Sequence, residues 1–328
     1  MTNLFPVTHS ILSVQALIDR VLPNYELEPI IECKFFCFGL NDTFLVNTQG
    51  NRYILRVYRV GWRSHADILY ELEALLHLHR QGVAVSIPLT RKDGDFIGMV
   101  EAPEGLRSIV LFTYAPGKEL TYKADEENES YLYGKAVARI HSASDTFRSS
   151  HQRFILDLDR PLQASLSAIQ PLLVHRPNDW EYLVALAAQL QERIRDMPPN
   201  SLDIGFCHGD CHAGNAHLSD DRIVTFFDFD SCGIGWRTYD LATFRWASRL
   251  GKKETERWEP FLRGYTEERQ IDEQNIQATL YFVAVRHFWF MGLQAGNSHD
   301  WGYARMNDWY FDRGIEFLRQ CEADYSRL

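Results

Sequence analysis

The sequence predicts an α+β protein in two parts, a β-rich first third followed by a mainly helical remainder. Three observations carry this. Short apolar runs separated by turn residues fill the chain up to about residue 113. Helical periodicity takes over from about Tyr131, and between the two Tyr114-Ala115-Pro116-Gly117 interrupts both patterns.

Thr8 is placed to cap a helix carrying Ile11, Leu12, Leu17, Ile18 and Val21, stopped by Pro23. Ile30 to Phe38, Thr43 to Asn47 and Tyr53 to Tyr58 read as strands of an antiparallel meander. Gly39-Leu40-Asn41-Asp42 and Gln49-Gly50-Asn51 supply its turns. Asp67 to Arg80 then puts Ile68, Leu69, Leu72, Leu75, Leu76 and His79 on one helical face, with Gly82 as the stop. Val83 to Leu89, Phe96 to Val100 and Ser108 to Thr113 follow as strands, with Lys92-Asp93-Gly94-Asp95 as a turn. Helices are expected over Tyr131 to Ser142, Leu162 to Leu173, Asp179 to Arg195, Leu241 to Leu250 and long stretches after Glu259.

Composition removes several function classes. The 328 residues are 45% hydrophobic, which rules against disorder, and the formal net charge of -10 disfavours a nucleic-acid partner. An acidic surface fits a cationic or neutral substrate better than an anionic one. The first residues lack a basic stretch followed by an apolar one, and no run of about 18 apolar residues suits a membrane span, so a cytoplasmic protein with no membrane partner is expected. Cys33, Cys37, Cys207, Cys211, Cys232 and Cys321 are then free thiols. His208 and His212 interleave with Cys207 and Cys211, but a zinc site there would leave Asp210 and Asn215 unexplained.

The segment that carries chemistry is His208-Gly209-Asp210-Cys211-His212-Ala213-Gly214-Asn215. Ala216 to Leu218 and Ile223 to Phe227 can form a hairpin around Ser219-Asp220-Asp221-Arg222. That hairpin would bring Asn215 beside Asp228, an amide oxygen and a carboxylate facing one point. Such sparse oxygen ligation suits Mg2+ when phosphate oxygens and water complete its shell. Asp210, on the loop entering the hairpin, is placed to accept a proton from a substrate hydroxyl. Phosphoryl transfer asks for little beyond positioning and charge neutralisation.

H-G-D-x-x-x-x-N followed by Phe227-Asp228-Phe229-Asp230 resembles the catalytic segment of the aminoglycoside phosphotransferase-like kinases. That superfamily includes antibiotic, choline and homoserine kinases and a bacterial stress-response serine/threonine kinase. The resemblance runs from about Phe38 to Leu241 and is strongest over 207–241. It implies a bilobal protein-kinase-like fold, with residues 1–113 as a nucleotide-binding lobe, 114–328 as a catalytic and acceptor-binding lobe, and a hinge at 112–117. It implies ATP and Mg2+ as cofactors, Asp210 as the catalytic base, His208 as a buttress of its loop, and Asn215 and Asp228 as metal ligands. Tyr239-Asp240-Leu241-Ala242 matches a family element in which Asp240 is structural and caps the following helix. Gly39 and Asn41 fall where the family covers the phosphates, and Thr113 and Ala115 where hinge backbone meets the adenine edge.

Arg56 lies mid-strand beside Ile54 and Tyr58, where a charge needs a reason, and by the resemblance it replaces the lysine that contacts the ATP phosphates. Its ion-pair partner is expected on the next helix. Periodicity leaves Glu71 and Glu73 open, and the resemblance favours Glu71. Gly209 stands where protein kinases switched by activation-loop phosphorylation carry arginine, so no such switch is expected. Residues 280–312 are rich in aromatics, which serve either as helix core or, by the resemblance, as part of an acceptor pocket that holds a cation. Three functions follow as expectations: a kinase for a small-molecule hydroxyl acceptor (an amino alcohol, aminoglycoside or homoserine-like compound), a serine/threonine kinase with a protein substrate, and a non-catalytic nucleotide-binding regulator.

Overall fold

A computed structural model describes residues 5–121, 125–198 and 201–327. The fold class is α+β, and the chain divides into two compact units. The first comprises residues up to Gly117 with Arg148–Arg153 and Thr225–Asp230. The second holds Lys118–Phe147, Phe154–Val224 and Ser231 onward.

The first unit is built on a five-stranded antiparallel sheet. Its strands are β1 (Ile30–Phe38), β2 (Asp42–Thr48), β3 (Arg52–Val57), β4 (Gly98–Ala102) and β5 (Gly105–Thr113), in the order β1-β2-β3-β5-β4. Alternation along the strands sorts the side chains. Phe44, Val46, Leu55, Val57, Ile109 and Leu111 form one buried face and pack with Leu17 of helix α1 (Val14–Arg20). Arg56 points to the other face, where helix α2 (His65–Arg80) supplies Glu71. Ser64 and Asp67 close a capping box at the start of α2.

Two expected elements differ. The first helix starts at Val14, capped by Ser13, whose hydroxyl accepts from the Ala16 N–H. Thr8 therefore lies outside it. Val83 to Leu89 is not a strand of the sheet. Val85 and Pro88 make only isolated bridges, to Phe226 and Phe112, and Pro88 has no N–H to offer a ladder. The bridge to Phe226 is flanked by two backbone hydrogen bonds. Ser86 N–H donates to the Phe226 carbonyl at 2.9 Å and Phe226 N–H to the Ala84 carbonyl at 3.0 Å, so residues 225–230 are docked on the first unit by backbone bonds.

In the second unit, α3 (Glu126–Ala143), α4 (Ser165–Ile169), α5 (Pro177–Arg195), α6 (Arg237–Leu250), α7 (Glu254–Glu268), α8 (Glu273–Gly296), α9 (Ser298–Trp301) and α10 (Asp308–Tyr325) account for most of the chain. Helix α8 is buried nearly all round, from Phe282 through Phe288, as a helix apolar on every face must be. It packs with Leu166, Leu186, Trp246, Ile315 and Leu318 of its neighbours. Two small sheets hold the loops. β6 (Lys118–Glu119) pairs antiparallel with β8 (Ala216–Leu218), and β7 (Ile204–Cys207) with β10 (Gly233–Trp236). β9 (Val224–Phe226) lies next to β8, giving the order β6-β8-β9. No helix among the described residues is long and apolar enough to cross a membrane.

Two stability measurements test this core. Arg107, its side chain fully buried, donates to Asp42 at 2.8 Å and to the carbonyls of Ser10, Val57 and Tyr58. Arg107→Met leaves the Asp42 carboxylate buried without its guanidinium, and chemical denaturation should show a loss of about 3–5 kcal/mol. In α8, burial pushes the His287 imidazole from 6.5 down to about 3. The unfolded chain therefore binds a proton there that the folded chain refuses. This contribution is complete above pH 6.5 and is lost as pH falls from 6.5 toward 3. His287→Phe should flatten the acid decline in stability by up to about 1.4 kcal/mol per pH unit across that window.

Candidate active site

The first unit gathers a buried cluster around Arg56. Its Nη1 donates to Glu71 Oε1 at 2.7 Å, and its Nη2 to Asp228 Oδ1 at 3.0 Å. Tyr58 donates its hydroxyl to the other Glu71 oxygen at 3.1 Å. Geometry thus separates the two glutamates that periodicity left open. Glu73 accepts instead from Ser149 and Ser150. The planar fork of arginine explains the double contact, because one guanidinium presents two nitrogens to two carboxylates on different elements. Burial pushes the Glu71 carboxyl above its ordinary value, against the pull of Arg56.

Asp228 adopts a left-handed φ of 61°, a conformation that costs a non-glycine residue energy and that the surrounding contacts must hold. Asp228 itself accepts from Arg56, and Asp230, two residues on, is anchored by several donors. Its buried carboxylate accepts from Trp62 Nε1 at 2.7 Å and Arg63 Nε at 3.1 Å, and its carbonyl accepts from Arg63 and Arg153. Burial pushes the Asp230 carboxyl up, but Arg63 and then Arg56 bring it below its usual value. Trp62, Arg63, Arg153 and Asp230 did not emerge from the sequence as site residues. The signal was the second Asp of the D-F-D run.

The other first-unit candidates are less engaged. Gly39 has no left-handed φ, and an added Cβ would meet nothing closer than 3.9 Å, so its backbone does not require glycine. The Asn41 side-chain oxygen accepts from the Arg59 N–H at 3.2 Å. The Thr113 N–H is taken by the Ile87 carbonyl, and its hydroxyl accepts from the Ile87 N–H. Ala115 is buried.

In the second unit, the loop after β7 turns at Gly209. The φ there is 79°, and a Cβ would lie 2.1 Å from the Ser231 carbonyl oxygen, so both backbone conformation and space exclude a side chain. One buried carboxylate fixes this turn. Asp240 Oδ2 accepts from the His208 N–H at 2.7 Å and from His141 Nε2 at 3.0 Å, while Oδ1 accepts from the Gly209 N–H at 2.8 Å. The Tyr265 hydroxyl at 2.8 Å donates to His141 Nδ1, which leaves Nε2 as the ring's donor toward Asp240. Asp240 is structural, as expected, but it does not cap the helix. α6 begins three residues earlier at Arg237, and the carboxylate turns back onto the loop.

Asp210 follows. His208 is fully buried and its Nδ1 accepts from the Asp210 N–H at 3.3 Å. Asn215 Nδ2 donates to the Asp210 carbonyl at 2.9 Å and to Asp210 Oδ2 at 3.1 Å. Arg286 Nη2, from α8, donates to Asp210 Oδ1. Burial pushes the Asp210 carboxyl up, but Arg286, aided by His212, holds it well below the usual carboxylate range, so it is ionised at neutral pH. His212 Nε2 lies 3.5 Å from Oδ2, while its Nδ1 accepts from the Gly214 N–H. Cys207 and Cys211 are buried free thiols whose pKa values burial raises, and Cys211 packs on the Tyr133 hydroxyl at 3.6 Å. Arg286 is a further residue that sequence reasoning missed, although a lone cation in the run Val285-Arg286-His287-Phe288-Trp289 was a signal.

Each unit, taken by itself, offers one oxygen donor of the kind a hard divalent cation takes. Because its amide nitrogen is engaged by Asp210, Asn215 turns its amide oxygen the other way. The Asp228 side chain is 46% exposed, with oxygen to offer. Both are oxygen ligands of the type Mg2+ takes. Of the aromatics over 280–312, Phe282 and Phe288 are core, Tyr303 and Trp309 are exposed, and the faces of Trp289 and Trp309 hold the chain's own arginines. Arg286 lies 4.9 Å from the Trp246 centroid and 4.1 Å from that of Trp289, and Arg313 lies 4.8 Å from Trp309.

Gly209→Ala tests the turn. The left-handed φ alone costs an alanine about 1–3 kcal/mol, and the contact with Ser231 adds to it. Thermal unfolding should fall by several degrees, and transfer activity should fall with it. An alanine variant of parental stability and rate would show the turn to be adaptable.

The sequence profile described as the phosphotransferase enzyme family (APH) matches residues 39–273. The chain is 27% identical to the amicoumacin kinase of Bacillus subtilis, over 80% of this chain and 79% of that protein. It is 26% identical to the homoserine kinase of Sinorhizobium medicae, over 79% and 77%. Its fold matches that of the amicoumacin kinase hAmiN in complex with AMP-PNP, Ca2+ and Ami, with a TM-score of 0.75 at 19% identity, covering 95% of this chain and 92% of that one. On the extent of the family match, the chain belongs to the APH phosphotransferase family and is a small-molecule phosphotransferase.

Proposed function

We propose that this protein transfers the γ-phosphoryl group of ATP to a hydroxyl of a small acceptor, an amino alcohol, aminoglycoside or homoserine-like compound, with Mg2+ as cofactor. In this reading residues 1–113 are the nucleotide-binding lobe, 114–328 the catalytic and acceptor-binding lobe, and 112–117 the hinge. The observation that carries the proposal is the setting of Asp210, a carboxylate whose side chain is 21% exposed and whose two oxygens each accept from a separate donor, Asn215 and Arg286. A purely structural aspartate has no need of such exposure.

The acceptor oxygen attacks phosphorus as the bond from phosphorus to the β,γ-bridging oxygen breaks, and ADP leaves with that electron pair. Asp210 aligns the acceptor hydroxyl by accepting its hydrogen bond. A carboxylate held this acidic draws the proton late, as the new O–P bond forms, which suits a loose phosphoryl transition state. Arg56 contributes positive charge toward the phosphates, with Glu71 fixing its orientation. Asn215 and Asp228 would hold Mg2+, which supplies charge neutralisation on the phosphate oxygens when bound. Gly39 and Asn41 would cover the phosphates, with Thr113 and Ala115 near the adenine. His208 supports the loop from beneath.

Asp210→Asn keeps the shape and removes the charge. Calorimetry should give parental Mg-ATP affinity, while single-turnover transfer to an acceptor panel drops about 100- to 10,000-fold. Asp228→Ala should instead abolish the metal dependence of nucleotide binding. Undiminished transfer in the Asn variant sinks the assignment of Asp210. ATP binding by the parent without turnover on any acceptor would favour a non-catalytic regulator.

A further inference from the structure

Asp210 sits on irregular backbone, between a left-handed glycine and a single 3-10 turn over Ala213–Asn215. A carboxylate on such a loop has two freely rotating side-chain torsions unless something fixes them. Asn215 fixes one oxygen from within the same loop. The other is fixed from outside it, by Arg286 on the 24-residue helix α8. Arg286 is only 2% exposed, and its guanidinium carbon lies 4.9 and 4.1 Å from the Trp246 and Trp289 ring centroids.

Its hydrogen bonding is poor for so buried a cation. Nε and Nη1 are buried with no acceptor in hydrogen-bonding geometry, and Tyr239 is the phenol that interacts with the group. Burying an arginine on so few bonds costs stability rather than adding it. Methionine or leucine beside the two indoles would carry no such cost. What a hydrocarbon cannot do is reach Asp210 Oδ1 and hold it at a fixed angle. Because the guanidinium is anchored on a buried helix by packing, it transmits the rigidity of the core to one carboxylate oxygen.

We propose that Arg286 is a positioning residue for phosphoryl transfer, acting through Asp210 by locking its carboxylate in the rotamer that receives the acceptor hydroxyl. The inference rests on the function proposed above and names a part of that site which the motif does not contain. It differs from a structural ion pair in what removal should do. A structural pair loses stability when broken, whereas a positioning pair loses rate and leaves the fold intact.

The experiment is a double-mutant cycle with Arg286→Met, Asp210→Ala and both together, read by single-turnover transfer from ATP to the best acceptor of a panel, or to water if none is used. Arg286→Met should lower the rate about 100-fold, the scale of a misplacement of about 1 Å. ATP affinity should not change. Because Asp210, unlike the wholly buried Asp42, is 21% exposed and keeps Asn215 as a donor, the unfolding temperature should stay within a few degrees. Arg286→Lys should recover part of the rate. In the Asp210→Ala background, Arg286→Met should change the residual rate by less than about threefold, because the residue it positions is gone. A parental rate in Arg286→Met overturns the inference, and so does an equal loss in both backgrounds. If Asp210→Ala itself keeps the parental rate, the functional reading of Asp210 falls, an outcome distinct from failure of Arg286 alone. If the parent turns over nothing, not even water, both fall. Should Arg286→Met not fold, Trp289→Leu keeps the charge and opens its slot. It should then lower the rate without changing ATP affinity, and a parental rate there overturns the inference equally.

Discussion

The second unit depends on a single buried carboxylate. Asp240 accepts two successive backbone N–H groups, those of His208 and Gly209, and a third bond from His141. Charge-assisted bonds of this type contribute about 1.5–3 kcal/mol each. Without them two successive N–H groups leading into the left-handed glycine would be buried and unmatched. Everything downstream inherits its position from that turn: the Asp210 carboxylate, the His212 ring that bonds back to Gly214, and the Asn215 amide. The arrangement is economical because α6, which carries Asp240, also carries Trp246, one wall of the slot that holds Arg286. One helix thus sets the backbone beneath Asp210 and the cation beside it.

The first unit solves a parallel problem with different chemistry. Asp228 must sit in a left-handed conformation, and no glycine is there to make it easy. Asp230 compensates by gathering Trp62 and Arg63, while Arg153 binds its carbonyl. Arg56 then spans Glu71 and Asp228. A lysine would bring one compact charge where this chain uses a fork. The fork has a structural rationale, because Glu71 and Asp228 are met by different nitrogens of the one guanidinium.

Much of this was legible in the sequence, and what was not has identifiable causes. The H-G-D-x-x-x-x-N segment was legible because its residue types are chemically unusual together, and the meander because its turns are marked by glycine and asparagine. The class, α+β, followed from the change of period near residue 114. The resemblance at Tyr239-Asp240-Leu241-Ala242 implied Asp240 as a helix cap. Yet α6 starts at Arg237 after Trp236, with no side-chain cap at all, and sequence spacing cannot show a side chain reaching back across 31 residues. Val83 to Leu89 read as a strand because its apolar residues are buried, although the burial belongs to a connecting segment. Arg286 was hidden by the opposite effect. In a helix apolar on every face, one charge reads as noise until its partner, 76 residues earlier, is located in space.

The first unit is assembled from three separate stretches of chain, and residues 225–230 reach it only after more than seventy residues of the second unit have intervened. Its fold is therefore not inherited as one contiguous piece. An amino-terminal fragment ending at Gly117 would lack Phe226, leaving the Ala84 carbonyl and the Ser86 N–H without their partners, and would lack the aspartate on which Trp62 and Arg63 converge. Chimeras between relatives that exchange only the first third of the gene would join a sheet from one parent to a docking strand from the other. The natural unit of exchange in this fold is spatial, and recombination at the linear boundary cuts across it.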